Sequence, residues 1–251
     1  MKMPIGAALV SLALTACATA PAPEKGDMAD PFEGFNRQMF AFNNGVDKYA
    51  LGPAATAYKT VTPEFARTGV TNFLRNLNSP VILANDVLQA EPSRAGATVA
   101  RFGINTTIGV LGLWDAADHF GIERHTEDFG QTLGVWGFES GPFLVLPILG
   151  PSSPRDLMGD GVDMAFNPLN YIEIDNDEDT NMSVRAGLGV LSAVNARVLF
   201  DDEIDTLNSQ PEPYIAMRRL YSSQRQNAVA NGKLDDATEY EDLPDFDEFE
   251  E

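Results

Sequence analysis

The chain of 251 residues holds a single cysteine and two histidines. One cysteine excludes an intramolecular disulfide, a CxxC redox pair and a cysteine-based zinc site. Walker loops, HExxH segments and GxSxG elbows are also missing. A Ser-His-Asp site survives that test, because triad members need not adjoin in sequence. No nucleophile stands in a recognisable elbow, however, and His119 and His125 read as surface or supporting residues. Basic residues are scarce, with 17 Lys+Arg against 37 Asp+Glu and a net charge of −20. So acidic a chain is repelled by phosphates, which argues against nucleic acid and against electrostatic docking on anionic lipid heads. Membrane contact is therefore expected to be apolar or acyl-mediated. Residues 233–251 read as a disordered acidic tail, since from residue 234 on the chain is rich in Asp and Glu and lacks any Lys or Arg. Long hydrophobic runs are lacking too. The longest uncharged run after Cys17 is residues 140–154, and Pro142, Pro147 and Pro151 prevent it from crossing a bilayer as a regular helix.

The N-terminus carries the first positive signal. Lys2 precedes an uncharged stretch over residues 3–16, which ends in Leu14-Thr15-Ala16-Cys17. A basic start, a short apolar run and small residues at the cut make residues 1–16 a secretory signal peptide ending in a lipobox. Cys17 is then the lipidation site. A cysteine bearing several acyl chains holds to a membrane permanently, whereas one chain holds only marginally. Ala18 in place of Asp favours the outer membrane as destination. Residues 17–29, rich in Ala and Pro, read as a lipidated tether.

Helical periodicity dominates the body, expected over residues 30–232. Asp30, Pro31 and Glu33 fit N-cap, N1 and N3 of a helix, and Thr62-Pro63 and Ser79-Pro80 repeat that punctuation. Phe32, Phe35, Met39, Phe42, Val46 and Tyr49 then form one stripe, widened by Phe40. Further faces are Val70, Phe73, Leu74 and Leu77, residues 81–88, residues 94–105, Val184 to Val198, and Tyr214 to Tyr221 before Asn231-Gly232. No segment sustains the two-residue alternation of a strand. Glycines between residues 103 and 150, including the Gly130 and Gly134 pair, suggest close packing or a membrane interface, with glycine-rich loops of an ordinary core as the alternative. Asp175, Asp177 and Asp179 mimic the start of a calcium loop. Thr180 replaces the needed glycine and Ala186 the bidentate Glu, so a solvated acidic loop is expected and no metal site.

With these pieces placed, several ordered blocks resemble the MlaA family, also called VacJ, of phospholipid-binding outer-membrane lipoproteins. The blocks are DPFEGFNR at 30–37, FAFN at 40–43, NFLRNL at 72–77 with Pro80, RFGINT at 101–106, EDFGQTLGVWG at 127–137, GPFLVLP at 141–147 and GPSSPRD at 150–156. Departures are mild. Phe143 stands where the family usually has Tyr, Leu74 where a second aromatic is common, and Ala90 where Gly often follows Leu-Gln. The resemblance implies an all-α fold, a ring-like helical plate lying in one membrane leaflet around a central amphipathic channel. It implies phospholipid as cargo, a trimeric outer-membrane porin and the periplasmic lipid carrier MlaC as partners, and no cofactor or reaction. It also suggests Phe40, Phe42 and Asn43 as channel or gate residues. Arg101, Asn105, Asp128, Gln131, Gly141, Arg155 and Asp156 are structural or channel-lining candidates on the same ground. By periodicity alone Phe42 is an ordinary core residue. A porin-associated structural lipoprotein and a membrane-anchored lipid hydrolase are the alternatives. Porin binding without lipid would mark the first and release of free fatty acid the second.

Overall fold

The computed structural model describes residues 27–171, 173 and 177–232. The signal peptide, Cys17, most of the tether, Asp175 and the acidic tail lie outside the described residues. Helices make up nearly all of the regular structure. In chain order they are α1 (Glu33–Val46), α2 (Gly52–Val61), α3 (Glu64–Leu77), α4 (Ser79–Leu88), α5 (Pro92–Thr107), α6 (Phe129–Val135), α7 (Pro154–Phe166), α8 (Glu178–Leu199), α9 (Asp201–Ser209) and α10 (Pro213–Val229). A π-helical turn, Asp47–Leu51, joins α1 to α2 without a break. Two three-residue strands, β1 (Leu144–Leu146) and β2 (Gly150–Ser152), pair antiparallel. They are too short to show as alternation in the sequence.

Proline sets many of the boundaries, because at the first turn of a helix its missing N–H has no partner to lose. It opens α2, α4, α5, α7 and α10. Side-chain caps come from Asp128 on α6, Ser153 on α7 and Asp177 on α8. At the other end of the chain, Asn231 and Gly232 take positive φ after α10, and Gly232 N–H donates to the Asn227 carbonyl, which closes the helix. Asp30 is not the N-cap it was expected to be. The helix starts three residues later, and the Asp30 carboxylate is buried, accepting from Asn36 Nδ2 at 2.7 Å and from the Tyr214 hydroxyl. A buried carboxylate needs those donors more than a helix end exposed to solvent needs a cap. Thr62 likewise makes no capping bond, and Pro63 takes the capping position.

The packing pairs close on themselves. The hairpin lies on α1 and on α10, α10 on α6, α6 on α7, α7 on α4, α4 on α3 and α5, α3 on α8, and α8 on α2, which leads back to α1. Among the described residues the hydrophobic cluster of buried side chains is small, built from Phe143, Val145, Tyr214 and Met217, with Met39 and Phe40 against it.

Polarity is inverted relative to a water-soluble protein. Among the described residues 20 polar or charged side chains are buried against 9 apolar ones, while 31 large apolar side chains are exposed. Such a surplus of apolar surface marks an exterior to be covered by lipid or by a partner, because scattered exposed apolar residues in soluble proteins do not displace the polar ones from the outside. The α1 stripe shows the inversion. Phe32, Phe35, Phe42 and Tyr49 face outward and Asn36 is fully buried. Phe42, 49% exposed, is therefore not a core residue. No helix among the described residues is long and apolar enough to cross a membrane. At about 1.5 Å per residue the 22-residue α8 reaches bilayer length, but Glu178, Asp179, Arg185 and Arg197 lie within it.

Candidate functional site

A cavity of about 310 Å³ opens between α3, α4, α5 and α8. Its walls carry Arg75, Arg101 and Arg124, the acidic Asp115, and the apolar Leu74, Ile82 and Leu199. Arg101 and Asn105 stand one turn apart on α5 and reach the same carboxylate. The Arg101 guanidinium donates to both Asp115 oxygens at 2.7 Å and to the Ile122 carbonyl. Asn105 donates to Asp115 at 2.9 Å and accepts from the Ala117 N–H at 2.8 Å. Arg124 adds a further ion pair to Asp115. Burial works to raise the Asp115 pKa, but Asn105, Arg101 and Arg124 outweigh it and hold the carboxyl below the usual range. Arg75 has no hydrogen-bond or ion-pair partner among the described residues. Burial and then the charge of Arg124 depress its pKa.

Behind this wall sits a polar layer. The Asp86 carboxylate, fully buried, meets His125 Nε2 at 2.9 Å and the Thr98 hydroxyl at 2.6 Å. Arg94 pairs with Glu127, which also accepts from Gln89 Nε2 at 2.7 Å. Thr98, His125 and Asp86 are the three residue types of a nucleophilic relay, yet they do not build one. A relay needs one imidazole nitrogen on the hydroxyl and the other on the carboxylate. Here Nε2 faces both, and the Thr98 hydroxyl donates directly to Asp86.

Asp128, Gln131, Arg155 and Asp156 are gathered elsewhere, where α6, α7 and α10 meet. Arg225 of α10 spans Asp128 at 2.7 Å and Asp156 at 2.7 Å, Gln131 donates to Asp128 at 2.8 Å, and Arg155 and Tyr221 donate to Asp156. Burial would raise both carboxyls. Hydrogen bonds and charge from Arg225, joined by Gln131 at Asp128 and by Tyr221 at Asp156, lower them instead. The knot can form because the helices touch: a Cβ on Gly159 of α7 would stand 2.3 Å from the Gly130 nitrogen of α6. The glycine spacing thus serves close helix packing.

The last group holds the hairpin. Asn36 donates to the Phe143 carbonyl at 3.0 Å and accepts from Val145 N–H at 2.9 Å. One heptad on, Asn43 donates to the Leu146 carbonyl at 2.8 Å and accepts from Ile148 N–H at 2.7 Å. Two amide side chains thereby act as the neighbouring strand that β1 lacks. Phe40 packs edge-on against Tyr214 with ring centres 5.9 Å apart, while Phe42 points away. Gly141 turns the chain into the hairpin at φ +77°, a region that excludes most side chains.

The fold has known counterparts. Residues 28–228 match the MlaA lipoprotein family. The chain belongs to that family. It is 34% identical over 237 residues to the intermembrane phospholipid transport system lipoprotein MlaA of Escherichia coli, covering 92% of this chain and 90% of that protein. The Haemophilus influenzae lipoprotein of the same name is 33% identical over 249 residues, covering 97% and 96%. A solved structure from work on the structural basis for maintenance of bacterial outer membrane lipid asymmetry superposes with a TM-score of 0.69 at 34% identity, over 80% of this chain and 99% of that one.

Within this MlaA-family chain the sequence reading missed Arg75, Asp115, Arg124 and Asn36. Arg75 stands in the NFLRNL block and Asn36 in DPFEGFNR, so block membership was the available signal. Acidity of the whole chain also misled: three arginines face this cavity in a chain of net charge −20.

Proposed function

We propose that the chain moves phospholipid out of the outer leaflet of the outer membrane and hands it to a periplasmic carrier of the MlaC type, which maintains lipid asymmetry. The carrying observation is a polar, arginine-bearing cavity within a cycle of helices whose outside is apolar. Apolar rim and polar interior together suit a plate immersed in one leaflet, with lipid heads passing through a hydrated path and acyl chains staying in the surrounding hydrocarbon. Relatives named for phospholipid transport support the same reading. On it, Cys17 anchors the chain to the membrane, residues 30–232 form the working body, the periplasmic face meets the carrier, and a trimeric porin gives the plate its lateral partner. No reaction is involved, in keeping with the unsuited geometry around His125.

Mass spectrometry of lipid copurifying with the intact lipoprotein tests this. Intact phospholipid, released unhydrolysed to a carrier, is the expected result. Free fatty acid would establish a hydrolase, and porin binding without any bound lipid would leave a structural bridge. Cys17→Ala is expected to leave an uncut or soluble form that fails to protect the membrane, and normal acylation and sorting of that variant would refute the anchor.

A further inference from the structure

Transport of this kind leaves the hold on the cargo to be explained, and the cavity's charges are unbalanced. Three guanidinium groups meet one carboxylate, and Asp115 is already engaged by Arg101, Arg124 and Asn105. The Arg75 side chain makes no hydrogen bond or ion pair among the described residues, although it stands close enough to Arg124 for the two charges to disfavour each other. Arg75 and Arg124 are both solvent-exposed on the cavity wall, so an anion can reach the pair, and two like charges side by side are relieved by sharing one. Among anions, phosphate matches the planar guanidinium fork, which donates two parallel hydrogen bonds to two phosphate oxygens. The volume narrows the choice further. About 310 Å³ lies at the lower end of the roughly 300–1,000 Å³ typical of small-ligand sites, so it admits a headgroup and not two acyl chains. Leu74 and Leu199 give the chains an apolar way out.

We propose that Arg75 and Arg124 form a phosphodiester-binding site for the phospholipid headgroup, with the acyl chains leaving over Leu74 and Leu199. The inference rests on the transport reading and specifies its contact. The arginines read the phosphate that all phospholipids share, so the alcohol beyond it is weakly discriminated, and Asp115, bonded to Arg101 and Arg124, reaches Arg75 only through its charge.

Binding to the intact lipoprotein in non-ionic detergent tests the site with three probes: dihexanoyl phosphatidylglycerol, dihexanoylglycerol and inorganic phosphate. The first is expected to bind saturably, and about tenfold more weakly to Arg75→Gln or Arg124→Gln, the scale of one lost charge-assisted hydrogen bond. Arg75→Lys should fall between. Dihexanoylglycerol should bind weakly and alike to all variants, and inorganic phosphate more weakly than the lipid because it buries no apolar surface. Phosphate binding as tight as the lipid's would make this a free-phosphate site, and unchanged lipid affinity in Arg75→Gln would overturn the proposal. The Arg75 side chain makes no hydrogen bond or ion pair among the described residues, so its variant should melt at the wild-type temperature. Lipid copurification separates the two levels. Wild-type protein carrying phospholipid that the double variant carries equally would sink the arginine site and leave transport standing. Wild-type protein carrying none would sink transport.

Discussion

Ala90 shows how one methyl group can oppose a fold. It ends α4 at φ 59°, the left-handed region where a Cβ crowds the following carbonyl, and the family resemblance places Gly there. Ala90→Gly is expected to stabilise the protein by about 1 kcal/mol, the relief of that crowding less the greater freedom glycine gives the unfolded chain. Thermal midpoints in detergent measure it, and a lower midpoint for the variant would show that the residue is not strained. Asp156 lies at the opposite extreme, with a side chain 9% exposed and bonded to Arg225. Asp156→Asn removes a partner of a buried cation and is expected to cost about 3 kcal/mol at neutral pH. Since the Asp156 pKa is lower folded than unfolded, the stabilisation is present above the ordinary carboxylate value of about 3.9 and is lost as pH falls through the folded value. The gap between wild type and variant should therefore narrow below about pH 4, and a gap constant with pH would refute the account.

Helices were the legible elements. Pro80 within α4 and Asn231-Gly232 after α10 act through bonds a few residues away, which a sequence displays directly. The hairpin was not legible, because what holds β1 is Asn36 and Asn43, more than a hundred residues earlier. Nor was the direction of the α1 stripe. Periodicity says that one face is apolar, and it cannot say whether that face meets protein or lipid. Periodicity alone makes Phe42 a core residue, yet it is 49% exposed and should lose far less on truncation than the 3–5 kcal/mol of a buried Phe. The Asn43 clamp carries its own prediction. Asn43→Ala removes both bonds to the hairpin, so the Ile148 amide should exchange with solvent much faster while α10 amides keep their protection. Equal exchange in wild type and variant would mean that β2 and Asn36 hold the hairpin without Asn43.

The whole molecule is defined by its inverted polarity. Phe65, 79% exposed, and Phe120, 64% exposed, stand on the apolar exterior without being needed to fill a core. Phe65→Asp with Phe120→Asp is expected to leave the thermal midpoint within a few degrees and to reduce insertion into phospholipid vesicles strongly, which flotation would quantify. Retention of full insertion would show that the exterior does not face lipid. The −20 charge was legible and its implication was not, because a net value averages over the body, the cavity and a tail rich in Asp and Glu. An apolar exterior with no crossing helix among the described residues carries a mechanical consequence. A body that enters only one leaflet widens that leaflet and leaves the other unchanged, so the two sheets no longer match in area and the bilayer bends convex toward the occupied side. Added from outside, the protein should therefore crowd onto small vesicles in preference to large ones of the same composition, as curvature-sensitive interfacial inserts do.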